Sequence, residues 1–396
     1  MQNWYNKFIS QPHQPLFTNG VLFLSLFILA LLLSYLNIVT LEVPLLVFHA
    51  YALLFVVFIQ FFLGFLFVVF PKFLLQADIN KNVYMKQAIL YFLGSLLFFI
   101  SIFTSEVLNI FSAFFLFCIQ LMSFNTLYKI HMKSTMKNKK DTLWVLISFA
   151  FGLVANLIFL CSFVQSDYSI ILRQLAVNMG FYLFIFMLIF SIAQRMVPFF
   201  TSAKIVGYKI DKSKYLLELV CAFLVLKVII LTFLPTSYNL ISDIPLFIIF
   251  TKELFRWKLS IKKVSAIMWV LFISLYWIPI GFFLSSIESL IYIYDSSIVF
   301  EKSIIHIFAL GYFCTILLGF GTRVVLGHSG SVPTANRFTV ILYLAFQLVV
   351  LLRVFSAYSI NFSLDYLFFI NLSAILFLCI FILWSSKYVL ILLKGK

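Results

Sequence analysis

Residues 48–71, FHAYALLFVVFIQFFLGFLFVVFP, contain no aspartate, glutamate, lysine or arginine, and nearly every side chain is aromatic or aliphatic. About 20 apolar residues suffice for a helix to cross the ~30 Å hydrocarbon core of a bilayer. Lipid cannot satisfy the backbone groups of an open strand edge, so an apolar stretch of this length predicts a transmembrane helix.

The rest of the chain repeats this pattern. Charged residues make up 10% of the 396 residues and hydrophobic residues 64%, whereas a soluble domain is about 25% charged. We predict an all-α polytopic membrane bundle of about twelve transmembrane helices, forming one integral membrane domain over residues 1–396. The predicted helices lie near 19–40, 43–71, 85–104, 106–129, 142–165, 170–199, 215–234, 239–256, 264–287, 299–326, 336–357 and 364–393.

The basic residues predict the orientation of these helices. Every second loop is basic, and the loops between carry acidic residues instead. The basic loops contain Lys72, Lys81 and Lys86; Lys129, Lys133, Lys137, Lys139 and Lys140; Lys204, Lys209, Lys212 and Lys214; and Arg256, Lys258, Lys262 and Lys263. The positive-inside rule then predicts that both termini are cytoplasmic. The net charge of +15 follows from this topology, and because no soluble basic domain is present we expect no nucleic-acid binding.

Two histidines lie inside predicted helices. His49 in the second helix and His306 in the tenth both follow about seven residues from the outer end, which places each roughly 10 Å below the outer surface. Ionisable groups in a membrane mark functional sites by default. Such a pair is suited to ligate a metal, or a haem iron from both faces. The competing interpretation is that each imidazole bonds a neighbouring carbonyl or lines a wet crevice.

Lys227 lies in the middle of the seventh helix, and Asp243 opens the eighth after a short turn. The two charges are expected to neutralise each other as a structural ion pair. A proton path is the alternative.

The inner ends of the sixth and tenth helices carry a second group of polar residues. Arg195 and Thr201 end the sixth, and Arg323 and His328 end the tenth. Gly327 is expected to close the tenth helix in a left-handed conformation. These residues form either a capped helix with a snorkelling arginine or a basic pocket for a carboxylate or phosphate, a role for which the arginine fork is suited.

These segments resemble the NnrS family. The resemblance is carried by TRVVLGHSGSVP (322–333), by HIFALGYFCTILLGF (306–320) ahead of it, by QRMVPFFT (194–201) and by residues 48–71. It covers most of the chain, and the twelve segments agree with it.

The resemblance implies a bacterial inner-membrane protein of the nitric oxide response that binds haem and, in the family, copper. It makes His49, His306 and His328 candidate ligands, and Arg195 and Arg323 their candidate polar partners. Where the family has His-Ala-His-Glu in the second helix, this chain has His49-Ala50-Tyr51-Ala52. The change puts a copper site or a proton route there in doubt and leaves haem ligation by His49 intact.

Twelve helices with histidines in the second and tenth are also similar to the catalytic subunits of haem–copper oxidases. The sixth and seventh helices contain no histidine, so a binuclear reducing centre is not expected. The main hypothesis is therefore a haem-binding membrane protein with an outer bis-histidine site, an inner arginine–histidine cluster and an electron-transfer partner still to be found. The alternatives are a transporter for a small anion or metal, and a noncatalytic assembly or tolerance factor.

Overall fold

The computed structural model describes residues 2–164, 166–330 and 332–394, and within them it contains helices and no strands. The helices are α1 (Gln2–Phe8), α2 (His13–Tyr35), α3 (Leu45–Phe73), α4 (Lys81–Thr104), α5 (Glu106–Lys133), α6 (Lys140–Cys161), α7 (Ser169–Ser202), α8 (Leu216–Phe233), α9 (Leu240–Trp257), α10 (Ala266–Tyr294), α11 (Ser303–His328), α12 (Arg337–Phe362) and α13 (Tyr366–Lys394). The predicted all-α membrane bundle is confirmed. Position 165, the predicted end of the fifth helix, lies outside the described residues, as do the predicted domain ends at 1 and 396 and position 331 of the family-like stretch.

Eleven helices in the described ranges, α2 to α8 and α10 to α13, are long and apolar enough to cross a membrane. The eighth predicted segment, 239–256, forms α9, an 18-residue helix that is not among them. The prediction underestimated its polarity, because Asp243, Lys252, Glu253 and Arg256 lie on its length. Glu253 is buried and accepts hydrogen bonds from the Ser213 amide (2.9 Å) and Trp257 Nε1 (2.8 Å).

Two helix ends differ from prediction in a way that affects candidate residues. The first transmembrane helix begins at His13 rather than near 19, because Pro15 falls in its first turn, where a missing N–H costs no hydrogen bond. The fourth continues from 129 to Lys133, which brings His131 into the helix. His131 is 8% exposed, and its Nδ1 lies 3.1 Å from Thr142 Oγ1.

The helices group into two compact units, one comprising residues 1–188 and 385–396 and the other residues 189–384. In unit 1, α4 packs along α5, α2 packs against α3, and α6 packs against α5 and residues 169–186 of α7. In unit 2, α9 and α11 pack against α10, and the start of α11 packs against α12.

Three helices are interrupted by π-helical segments among the described residues: Ala52–Val57 in α3, Met179–Phe186 in α7 and Ile307–Cys314 in α11. These three helices recur at every fourth helix along the chain. They are also the most buried of the membrane-spanning candidates, with 83, 89 and 72% of their apolar windows covered. Because π-helical turns recur at functional sites, the segments direct attention to the residues around them, which include His49 and His306.

Candidate functional site

His306 precedes the π-helical segment of α11 and is partly exposed. Its Nδ1 lies 2.8 Å from the carbonyl oxygen of Lys302, and its Nε2 lies 3.3 Å from Arg353 Nη2. A guanidinium can only donate hydrogen bonds, so Nε2 is the acceptor and Nδ1 carries the proton. The structure therefore assigns the tautomer whose Nε2 lone pair is directed away from the helix backbone.

Arg353 is held beside His306 by its own helix, α12. Its Nη1 donates to Ser356 Oγ at 2.8 Å, and Ser356 Oγ donates to the Arg353 carbonyl at 2.6 Å. The tertiary structure thus brings a guanidinium on α12 to the imidazole on α11.

Glu288 is a buried acid that the sequence analysis did not single out. Its Oε1 accepts hydrogen bonds from Ser303 Oγ at the start of α11 and from the Tyr358 hydroxyl on α12, the latter at 2.6 Å. The predicted ninth helix ended at 287, one residue before Glu288, whereas α10 continues to Tyr294. A longer apolar window over residues 280–294 was the signal that could have found it.

His49 lies three residues before the π-helical segment of α3 and is partly exposed. Tyr51, which stands where the family has its second histidine, is fully buried. Its hydroxyl lies 2.9 Å from the Ala113 carbonyl oxygen and 3.1 Å from Asn156 Oδ1. His49 belongs to unit 1 and His306 to unit 2.

Lys227 and Asp243 form an ion pair inside unit 2. Lys227 Nζ lies 2.6 Å from Asp243 Oδ1, and the two side chains are 1% and 0% exposed. Ser285 Oγ donates to the other carboxylate oxygen at 2.5 Å. The carboxylate is thus bonded on both oxygens.

The C-terminal ends of α7 and α11 meet around Arg323. Its guanidinium carbon lies 3.7 Å above the ring centre of Phe200, and its Nη1 lies 3.8 Å from Met268 Sδ. Across the described parts of the chain, no carboxylate forms an ion pair with Arg323. A half-buried arginine with aromatic and sulfur neighbours keeps donors for an anion.

The other predicted members of this inner cluster take different positions. Arg195 is partly exposed on α7. Thr201 is fully buried and donates to the Val197 carbonyl of its own helix at 2.8 Å, so its hydroxyl serves the helix rather than the cluster. His328 is the last residue of α11 and is partly exposed.

The left-handed glycine at this end was assigned to the wrong residue. Gly327 lies inside α11 without a positive φ, and Gly330 has φ +73°. The helix runs one residue beyond Gly327, so the reversal of the chain comes after Ser329.

No group of three or more His, Cys, Asp or Glu residues suited to hold a metal ion occurs among the described side chains. Copper therefore stays a prediction from the family resemblance. A haem iron with two axial imidazoles needs only two protein ligands.

The model of the family described as NnrS protein matches residues 7–396. The chain belongs to the NnrS family. The resemblance drawn from its motifs is confirmed, and no curated protein matches the chain. It is an NnrS-like, multi-pass membrane protein of the nitric oxide response.

Within this NnrS protein, the family-like segments fall at the helices that the structure sets apart. Residues 48–71, 194–201 and 306–320 lie on α3, α7 and α11, the three helices with π-helical segments. The stretch 322–333 begins in the last turns of α11 and carries Arg323 and His328.

Proposed function

We propose that this NnrS protein binds haem, with His306 and His49 as the axial ligands near one face of the membrane. The observation that carries the proposal is the hydrogen bonding of His306, whose Nδ1 donates to the Lys302 carbonyl and whose unprotonated Nε2 accepts from Arg353 Nη2, a donor that the iron would replace. Histidines that ligate metals commonly donate their second ring N–H to a carbonyl, which fixes the ring and raises the basicity of the ligating nitrogen.

Arg353 fits the same role. A haem brings two carboxylates, and an arginine beside the ligand is suited to bind one of them. Because Arg353 Nη1 is already bonded to Ser356 Oγ, the side chain is oriented toward the imidazole without a bound group. Glu288 supports the arrangement by bonding to both Ser303 and Tyr358, which lie three and five residues from His306 and Arg353.

His49 is the second proposed ligand. Like His306, it is a partly exposed histidine just ahead of a π-helical segment. The sequence supports ligation of the same haem, because His49 and His306 lie equally far from the outer ends of their predicted helices. A haem held by two imidazoles supplies a low-spin iron suited to electron transfer. An electron-transfer partner is accordingly expected.

The test is the visible spectrum of detergent-purified protein, oxidised and reduced with dithionite. We expect a low-spin haem spectrum in the wild type that is lost in both His306→Ala and His49→Ala, since each removes one of two ligands. His131→Ala is the matched control, because His131 is bonded to Thr142 elsewhere in unit 1, and it should keep the spectrum.

A featureless wild-type spectrum from haem-supplied cells contradicts the proposal and favours a transporter or a noncatalytic tolerance factor. A spectrum lost in only one of the two histidine variants contradicts bis-histidine ligation and leaves haem binding in place.

We also propose that Arg323 binds a small anion at the opposite end of α11. Two observations support this anion site. Arg323 forms no ion pair within the described chain, and its guanidinium lies over the Phe200 ring. Arg195 and His328, at the ends of α7 and α11, are the nearest candidates to complete the pocket by sequence.

Anion binding should appear as thermal stabilisation. A ligand at 100 times its Kd stabilises the folded state by about 2.7 kcal/mol, so nitrite, nitrate or phosphate should raise the melting temperature of the wild type. The rise should disappear in Arg323→Gln and persist in Arg256→Gln, whose arginine is exposed beside Asp211. Equal stabilisation in both variants contradicts the site.

The protein is proposed to lie in the bacterial inner membrane with both termini in the cytoplasm. The lysine-rich loops support this orientation. Two termini on the same side need an even number of crossings, so α9 must cross the membrane in addition to the eleven apolar helices. The ion pair of Asp243 and the hydrogen bonds of Glu253 support this crossing, because they satisfy the two buried acids of α9.

A further inference from the structure

Unit 1 contains a series of fully buried polar side chains that none of the proposed sites uses. They lie on four neighbouring helices: Tyr51 on α3, Gln87 and Tyr91 on α4, Gln120 and Ser123 on α5, and Asn156 on α6. Each is 0% or 1% exposed. Polar groups are costly to bury in an apolar bundle unless they are hydrogen-bonded, so their contacts are informative.

The series begins at a cavity of about 380 Å³ between α4 and α5. Lys86 and Lys129 line it, together with Gln87 and Thr126. The lysines mark this as the end of unit 1 predicted to face the cytoplasm. Gln87 is therefore both a wall of an open, basic cavity and the first member of the buried series.

From the cavity inward, the hydrogen bonds are continuous. Gln87 Nε2 donates to Thr126 Oγ1 at 2.9 Å, and Ser123 Oγ donates to Gln87 Oε1 at 2.7 Å. The Tyr91 hydroxyl lies 3.3 Å from Ser123 Oγ. Since Ser123 uses its one proton on Gln87, Tyr91 is the donor in this last contact.

A second run of hydrogen bonds lies deeper. Asn156 Nδ2 donates to Gln120 Oε1 at 2.7 Å, and the Tyr51 hydroxyl lies 3.1 Å from Asn156 Oδ1 and 2.9 Å from the Ala113 carbonyl oxygen. Gln120 is nine residues from Lys129 on α5, about 14 Å along the helix axis, and two residues beyond Met122, the cavity-lining residue nearest to it on that helix. The two runs are separated by the single turn between Ser123 and Gln120.

Two buried polar atoms on the helices of this series are left without partners. Gln120 Nε2 and Gln60 Oε1 are fully buried and bond to nothing among the described residues. Gln60 is tied by its amide nitrogen to Ser95 Oγ at 3.0 Å, and Ser95 lies one turn beyond Tyr91 on α4. One orphan atom is a donor and the other an acceptor, and a buried water is the usual partner of such groups.

We propose that these side chains line a water-filled path that carries protons from the basic cavity to Tyr51, two residues beyond His49. We call it the polar path; its members are Gln87, Tyr91, Ser123, Gln120, Asn156 and Tyr51. Protons move along it between the waters and the hydroxyls of Ser123, Tyr91 and Tyr51, each of which accepts one proton as it releases another. The amides of Gln87, Gln120 and Asn156 hold the waters by hydrogen bonds and take up no proton. The path lies within unit 1 and does not depend on haem binding.

Hydroxyl-radical footprinting of the purified full-length protein tests the path, because radicals generated from bound water modify the side chains next to it. Tyr51 and Tyr91 should be modified severalfold faster than Tyr182, a tyrosine of unit 1 that is 1% exposed and outside the path. The comparison uses wild-type protein, so it does not depend on whether any variant folds. Equal, slow modification of all three tyrosines overturns the proposal.

Two variants then test the route. Gln120→Leu should slow the modification of Tyr51 severalfold, because a leucine of similar size removes the polar atoms between the two runs. Ser148→Ala is the matched control on α6: Ser148 is buried, but its hydroxyl bonds only to the Trp144 carbonyl of its own helix. Undiminished modification of Tyr51 in a folded Gln120→Leu protein overturns the route through Gln120.

Proton movement is read from a third variant, Gln120→Glu, by infrared spectroscopy of its carboxyl C=O band. If the polar path conducts protons, the carboxyl of Gln120→Glu should exchange its proton with D₂O within the mixing time, and its C=O band should titrate with the bulk pH. A carboxyl that stays protonated and unexchanged in protein whose tyrosines are modified overturns proton transfer and leaves a hydrated cavity.

Discussion

Replacing Asp243 with alanine is expected to lower the free energy of unfolding by about 3–5 kcal/mol, the usual cost of leaving a buried charge without its partner. Lys227 and Asp243 are almost completely buried, and the carboxylate also accepts from Ser285 Oγ. Asp243→Ala removes the carboxylate that Lys227 Nζ contacts at 2.6 Å. The loss is measured as the unfolding free energy of purified protein titrated with denaturing detergent.

Two controls separate the unpaired charge from loss of the side chain itself. The double variant Lys227→Met/Asp243→Leu removes both charges and should recover most of the stability, since apolar replacement of a buried pair is often neutral or stabilising. Asp211→Ala breaks an exposed pair with Arg256 and should cost less than about 1 kcal/mol. A double variant no more stable than Asp243→Ala would mean that the charge is not the cause.

The second large effect is expected at Gly152, where α6 packs against the π-helical segment of α7. A β-carbon at this position would lie 2.6 Å from Phe184 Cγ and 2.7–2.8 Å from the adjoining ring carbons. These atoms are at the root of the ring, and Phe184 is fully buried against Phe149 with ring centres 5.3 Å apart. We therefore expect Gly152→Val to destabilise unit 1 by about 1–3 kcal/mol or more, as overpacking of a filled core does.

Gly327→Ala provides the comparison for Gly152→Val. Gly327 is helical and exposed, and a β-carbon there would meet no atom within 4 Å, so alanine should leave stability unchanged or slightly higher. Both variants are measured by thermal unfolding in detergent. If Gly152→Val melts at the wild-type temperature, α6 does not require the close approach to α7.

The Lys227–Asp243 contact could be predicted from the sequence, whereas the His306–Arg353 contact could not. Lys227 and Asp243 could be paired from sequence because they lie on consecutive helices joined by a short turn, and charges so placed in an apolar bundle have few other partners. The contact of His306 with Arg353 could not, because it joins α11 to α12 through the rotation of each helix. A hydropathy pattern gives depth along a helix but leaves that rotation open.

Glu288 and Gly327 show that the ends of the helices were also difficult to predict from the sequence. Helix ends are set by local competition between capping and continuation. Ending α10 at 287 therefore hid a buried acid, and ending α11 at Gly327 assigned the left-handed residue wrongly. Eleven of the twelve predicted segments form helices apolar enough to cross a membrane, yet the functional detail lies within one turn of the helix ends.

The sequence by itself determined the class of this protein, the helices that fill the membrane, the charge pattern of its loops and its membership of the NnrS family. Those properties depend on composition and on order along the chain. The tertiary structure alone decided the π-helical segments, the tautomer of His306, the stacking of Arg323 on Phe200 and the hydrogen bonds among the buried polar side chains of unit 1. Each of these depends on which faces of different helices meet, and in an apolar sequence almost every face is equally compatible with burial.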